Sequence, residues 1–278
     1  MSNPKKITIA VVTYHNDFFL LERMLKSVYS FWNPDQVDSI CIILNDKPKY
    51  YKEFEKLIND NVHKDFKIKK FYSYELEPEI DFFDWHSQQL LKCLISNHIN
   101  TDWYVVNDCK DFYTTSVDIA DMFDDQGRAT MPLDHTRYPS DDRIPVMPGC
   151  VWAPGPFSIA LKYSFEIFGI DHQDHRTIHF PSTTPFIIKT EIMKNMIAEL
   201  RSMTKGLFPF LFSIQLDGQC FVTEFLLYGA YCYATTNNKD YVHWDTNHRK
   251  FFLSVQQSKD LRTPDPLSNA GFCNDEQI

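Results

Sequence analysis

ITIAVVT, residues 7–13, is an unbroken apolar run dominated by β-branched residues. It lacks the alternation of a half-solvated strand and predicts a parallel strand buried on both faces. After Asp17, residues 19–31 carry Leu20, Leu21, Met24, Leu25 and Val28 at helical spacing. SICIIL, residues 39–44, predicts a second buried strand that ends at the loop signal Asn45-Asp46-Lys47-Pro48. A helix over 50–59, a strand over 67–74 and a helix over 84–97 with Leu90, Leu91 and Leu94 in its stripe follow. WYVVN, residues 103–107, predicts a further strand that delivers Asp108 at its end. Strand and helix thus alternate over the first ~115 residues, which predicts βαβ units around a mostly parallel sheet, an α/β fold.

Beyond that point the pattern changes. Residues 131–156 are rich in Pro and polar side chains and read as a long loop, the candidate to close over a bound ligand. Helices are predicted over 157–168 and 191–202, and a buried amphipathic helix over 220–233, CFVTEFLLYGAYCY. The tail after Ser258, with Pro264 and Pro266, reads as poorly ordered. No repeat or linker divides the chain. The expectation is one domain over 1–258, with a nucleotide-binding half (1–115), an acceptor half (116–258) and a tail (259–278).

The chain has 278 residues, 44% of them hydrophobic and only 8 Gly, which excludes disordered and collagen-like classes. No apolar run approaches the ~18 residues of a membrane span, and the polar start Met1 to Lys6 is no secretory signal. The 7 Cys stand singly with no CxxC pair, which argues for reduced thiols and, with the rest, a cytoplasmic protein. Net charge is -9, against a non-specific nucleic-acid binder; Lys64, Lys67, Lys69 and Lys70 read as a solvated face.

Open α/β sheets bind ligands at the carboxyl ends of their strands. Here those ends supply Thr13-Tyr14-His15-Asn16-Asp17, Asn45-Asp46 and Asn107-Asp108-Cys109-Lys110-Asp111. Neither GxGxxG nor GxxxxGK[ST] is present, so the glycine-rich phosphate cradles are excluded. An acidic rim without such a cradle suggests a nucleotide held by side chains, with or without a metal.

The TYHND segment, the Leu-rich helix after it and Ser27-Val28 resemble the opening of GT-A glycosyltransferases. The resemblance continues, in the order of a less-studied GT-A-like branch. It runs through Trp85, Gln88, Gln89, Leu90 and Lys92, then the turn Val106-Asn107-Asp108-Cys109-Lys110, then Thr184-Pro185-Phe186. It ends with Thr223-Glu224 and Leu227-Tyr228-Gly229-x-Tyr231. It implies a single-domain GT-A-like, Rossmann-like fold. The implied activity is transfer of a sugar from a nucleoside diphosphate sugar, a UDP-sugar favoured, to an acceptor hydroxyl of a surface or capsular polysaccharide.

By the same resemblance, Thr13 and Tyr14 would line the base pocket and Asp46 would contact the base or ribose. Asp108 would take the first position of the family's DxD turn, and Gln88, Gln89 and Lys92 would face the same cleft. The second carboxylate of that turn is replaced by Lys110. Two readings stand open: Mn²⁺ or Mg²⁺ held by Asp108 with Asp111 and a late His243 or His248, or no metal, with the Lys110 ammonium at the diphosphate. Glu224, in an apolar segment, is either a buried, hydrogen-bonded carboxylate or the general base for the acceptor hydroxyl.

Rival readings are a glycosyltransferase acting on a hydroxymethylated base in phage DNA, with the Lys64 to Lys70 stretch and Arg137, Arg143 and Arg176 in a phosphate groove, and a non-catalytic nucleotide- or sugar-binding module. A third is a metal-dependent hydrolase built on Asp171, His172, Asp174, His175 and His179. Trp85, Trp152 and Trp244 are candidates to stack on sugars, whereas Trp103, inside a strand, reads as core, and Cys109 reads as inert.

Overall fold

The computed structural model describes residues 6–79, 84–131, 158–171, 184–205, 207–216, 219–236, 241–243 and 252–254. In the first half the elements are β1 (Ile7–Thr13), α1 (Phe18–Phe31), β2 (Val37–Leu44), α2 (Tyr51–Asp60), β3 (Ile68–Tyr72), α3 (Ser73–Leu76), α4 (Trp85–Leu94), β4 (Trp103–Asp108) and β5 (Asp111–Tyr113). In the second they are β6 (Ala129–Met131), α5 (Ser158–Ile167), β7 (Phe186–Lys189), α6 (Thr190–Thr204), β8 (Gln215–Leu216), β9 (Gln219–Cys220), α7 (Glu224–Thr236), β10 (Tyr241–His243) and β11 (Phe252–Ser254).

Every residue of β1 is buried, as its unbroken apolar run requires of a strand covered on both faces. It lies at the centre of a five-stranded sheet of order β3-β2-β1-β4-β7. The first four strands are parallel and β7 is antiparallel to β4. This is the mixed, mostly parallel α/β domain that the sequence predicts, flanked by helices. The chain runs outward from β1 to β2 and β3, then returns to place β4 on the other side of β1. The strand order therefore reverses between β1 and β4, and a crevice at their carboxyl ends is the general consequence. Val12 is level with Asp108 and Thr13 with Leu44, so the exits of β1, β2 and β4 share one rim.

The helix α4 is held to that rim by its N-terminus. Asp84 caps it, accepting from the backbone N–H of His86 at 2.8 Å and of Ser87 at 3.1 Å. The Asn45 amide, just past β2, donates to Ser87 Oγ at 2.8 Å in a buried contact. Gln89 and Lys92 are consequently carried, buried, toward the end of β4.

The differences from the sequence reading have local causes. The third strand stops at Tyr72 because a helical turn follows, closed by the Tyr72 N–H donating to Glu75 Oε2 at 2.8 Å. The helix expected over 220–233 begins instead at Glu224, because Gln219–Cys220 pairs as a short antiparallel strand with Gln215–Leu216. Nor is α7 amphipathic: Phe225 to Cys232 are buried wherever they point, apart from Gly229's lack of a side chain. One side packs Leu226 and Ala230 on Ala160, Leu161 and Phe165 of α5, while Phe225, Leu227 and Tyr228 join the main core. Phe186 of β7 stacks on Phe225 with ring centroids 4.1 Å apart. Trp103 is buried, as expected of a core residue. The long loop over 131–156, except Met131, and the tail lie outside the described residues.

Candidate functional site

Two clusters lie at the shared rim. The first is built by the exits of β1 and β2. Asp46 Oδ2 accepts from the backbone N–H of His15 at 2.8 Å and lies 2.6 Å from the imidazole Nδ1. Its other oxygen accepts the Lys47 N–H at 2.8 Å. Two backbone N–H groups and the imidazole thus surround a buried carboxylate, and the carboxylate orients the His15 ring. That ring lies flat on Tyr50, centroids 3.8 Å apart and planes 5° from parallel, with the histidine side chain 31% exposed. Tyr14 meets His15 edge-on at 6.0 Å, and Thr13 is buried, its carbonyl accepting the Asn45 N–H at 2.8 Å.

The second cluster surrounds the end of β4. Asp108 is bracketed by two ammonium groups: Lys92 Nζ lies 2.9 Å from Oδ1 and Lys110 Nζ 3.0 Å from Oδ2. Lys92 also reaches Glu224 Oε1 at 3.1 Å, and the Gln89 amide, oriented to donate, faces the same carboxylate. Tyr104, near the start of β4, donates its hydroxyl to the Lys92 carbonyl at 3.1 Å. Behind them Asp111 Oδ2 accepts the Asp108 N–H at 2.9 Å, and the Thr184 side chain lies against the same buried carboxylate.

Burial alone would discharge Lys92, but the carboxylates of Asp108 and Glu224 outweigh it and hold the ammonium above its ordinary range. Burial likewise works against the Asp108 carboxylate, and Lys92 and Lys110 overcome it, holding it well below the usual carboxylate range. Glu224 is pushed up, by burial first, with Lys92 pulling back. Cys109 is buried and burial raises its thiol, in keeping with an inert side chain.

The expected site residues thus fall into two sets: Thr13, Tyr14 and Asp46 in one, and Gln89, Lys92, Asp108, Lys110, Asp111 and Glu224 in the other. Gln88 is half-buried on α4 beside Gln89. His243 sits on β10, level with Met131 of β6, its side chain outside the described residues, as is all of His248. Of the candidate hydrolase cluster only Asp171 is described, and Trp152, Trp244, Arg137, Arg143 and Arg176 are outside. Trp85 is an exposed residue in the first turn of α4. His15 and Tyr50 join the site only through the fold, although His15 stands inside TYHND.

Among the described residues, the donor set does not suit a hard divalent cation, which wants several free oxygens. Both oxygens of Asp108 already meet ammonium groups, and among the described residues no three His, Cys, Asp or Glu converge as ligands.

The family model that matches the sequence, a family of unknown function (DUF6492), covers residues 6–260. The chain belongs to that family. No curated protein matches the sequence. Among solved structures, this DUF6492 chain is similar to core-mannan synthase A from Aspergillus fumigatus in its Mn/GDP form, at 9% identity and a TM-score of 0.51, covering 90% of this chain and 74% of that one. It also matches the galactosyltransferase LgtC in complex with donor and acceptor sugar analogs, at 10% identity and a TM-score of 0.44 over 81% and 70% of the two chains. A third match is the mannosyltransferase PcManGT from Pyrobaculum calidifontis in complex with GDP-Man and Mn²⁺, at 14% identity and a TM-score of 0.30, covering 41% of this chain. The DUF6492 chain spans 29% of that mannosyltransferase's length. At such identities the likeness is one of fold, and the fold is GT-A-like.

In the DUF6492 site, Asp111 carries a pH signature. Burial, and then the Asp108 carboxylate, push it from 3.8 up to about 6. A carboxyl raised in the folded state gives stability that is fully present below about pH 4 and lost as pH rises through about 6. Asp111→Asn keeps an oxygen for the Asp108 N–H and does not ionise. Its Tm is expected to match the parent's below pH 4 and exceed it by a few degrees above pH 7. A Tm difference that does not change with pH would contradict this.

Proposed function

We propose that this protein transfers a sugar from a nucleoside diphosphate sugar, UDP-linked by preference, to an acceptor hydroxyl. The observation that carries the reading is a juxtaposition at the reversal of the sheet: an aromatic stack at the exits of β1 and β2 beside an ammonium-rich cluster at the exit of β4. The first suits a nucleobase and ribose, the second a diphosphate. In this reading the exposed face of the His15–Tyr50 pair takes the base, and Asp46 sets the histidine and borders the ribose.

The acceptor oxygen bonds to the anomeric carbon as the bond from that carbon to the diphosphate oxygen breaks. Negative charge grows on the departing diphosphate, and the acceptor's hydroxyl proton passes to that diphosphate or to water. Lys110, 27% exposed and the outermost group of its cluster, is placed to meet that charge. Glu224 is 2% exposed and closed over by Lys92 and Gln89. We therefore assign it to holding Lys92 rather than to taking the acceptor's proton. The acceptor, a surface or capsular polysaccharide, falls to residues 116–258. The duplex-DNA reading gains no support from the basic stretch, because Lys69 is paired with Asp38 at 3.9 Å and Lys70 with Glu55. Among the described residues, no helix is long and apolar enough to cross a membrane.

A thermal-shift screen with UDP, GDP, CDP and TDP tests the donor site. A ligand at about 100 times its Kd adds about 2.7 kcal/mol, a shift of several degrees in a domain of this size. One nucleotide is expected to shift the parent but not His15→Ala. Silence from all four would remove the reading.

A further inference from the structure

We infer that Lys110 does the work of a metal ion in this site, so that the donor diphosphate binds without a divalent cation. The inference rests on the glycosyltransferase reading above and goes beyond it by naming what neutralises the diphosphate. A carboxylate ligates a hard cation through a free lone pair, and Asp108 has an ammonium on each oxygen, at 2.9 and 3.0 Å. A cation at that carboxylate would have to displace one ammonium and sit beside the other. Asp111 offers little in compensation: it is fully buried, one of its oxygens is committed to the Asp108 N–H, and the Thr184 side chain lies against the same carboxylate.

The two lysines are not equivalent, and the difference makes one of them available. Lys92 is buried and fixed by two carboxylates, Asp108 and Glu224, with the Gln89 amide closing the far side. Lys110 has one ionic partner among the described residues, Asp108, and is 27% exposed. The charges of Lys92, Lys110, Asp108 and Glu224 balance, two positive against two negative. When a diphosphate draws Lys110 away, Lys92 remains in contact with both Asp108 and Glu224, so neither carboxylate loses its last cationic partner among the described residues. Glu224 and Lys92 in this way keep the outer lysine exchangeable between its carboxylate and a ligand phosphate.

The test is calorimetric titration of the full chain with UDP, GDP, CDP and TDP, in EDTA and in Mn²⁺. At least one nucleotide is expected to bind in EDTA, with a Kd within about threefold of that in Mn²⁺. Lys110→Met, which keeps bulk and removes charge, should weaken it by about tenfold or more, as loss of a hydrogen bond to a charged group does. Lys110→Asp should bind only when Mn²⁺ is added, because it places a second carboxylate two residues after Asp108. Circular dichroism checks that both variants fold. Binding by the parent only with Mn²⁺ would overturn the inference and leave the glycosyltransferase reading intact. Binding under neither condition would overturn both.

Discussion

Lys92→Met is expected to lower the stability of the folded protein by about 3–5 kcal/mol, the usual consequence of removing one partner from a buried ion pair. Glu224 is 2% exposed, and Lys92 is its only cationic partner among the described residues. Without the ammonium, Glu224 must either stay charged in an apolar helix environment or take up a proton, and both are costly. Asp108 loses one of its two cations but keeps Lys110 and some access to water, so most of the effect comes from Glu224. The double variant Lys92→Met, Glu224→Gln should recover most of the loss, since it removes both ends of the pair and leaves an amide facing Gln89. Denaturant midpoints at constant m-value read both effects. A single variant within about 1 kcal/mol of the parent, or a double variant no better than the single, would show that the pair does not hold α4 and α7 to the end of β4.

Lys110→Ala is expected to behave in the opposite way. Its bond to Asp108 is partly exposed, and such pairs contribute about 0–1 kcal/mol to stability, so the Tm should barely move. Release of nucleoside diphosphate from a donor sugar should fall about 10²–10³-fold in kcat, the loss seen when one group that stabilises developing charge is removed. Two lysines on a single carboxylate would then separate cleanly, one serving the fold and the other the ligand. An alanine variant that keeps full turnover would contradict the role assigned to Lys110. One that unfolds would contradict the account of the pair as exchangeable.

Much of the fold is legible in short runs. ITIAVVT, SICIIL and WYVVN are strands because β-branched runs buried on both faces have few alternatives, and the helices between them keep their spacing. The edge strand Phe186–Lys189 is not legible, because three apolar residues and a lysine fit a strand or a helix turn equally and its antiparallel pairing with β4 depends on residues some 80 positions away. The start of α7 is misread for a related reason: Cys220 and Phe221 continue its apolar run, but a local strand pair claims Cys220.

The site follows the same division. Asp46, Asp108 and Lys110 announce themselves as polar residues at strand exits. His15 on Tyr50 does not, since the stack exists only because β1 and β2 are neighbours in the sheet. Lys92 and Glu224 each stand out in the sequence, yet they are 132 residues apart and only the packing of α7 against α4 makes them partners. Neither pairing can be read from periodicity, which reports local structure alone.

The most direct test of the donor site is a crystal structure of the complex with UDP, or with whichever nucleoside diphosphate binds, grown in EDTA. The base should lie against the His15–Tyr50 pair and a diphosphate oxygen should be within hydrogen-bond distance of Lys110 Nζ, with Lys92 still bridging Asp108 and Glu224. A nucleotide bound away from the exits of β1, β2 and β4, or one whose phosphates ignore Lys110, would contradict the account.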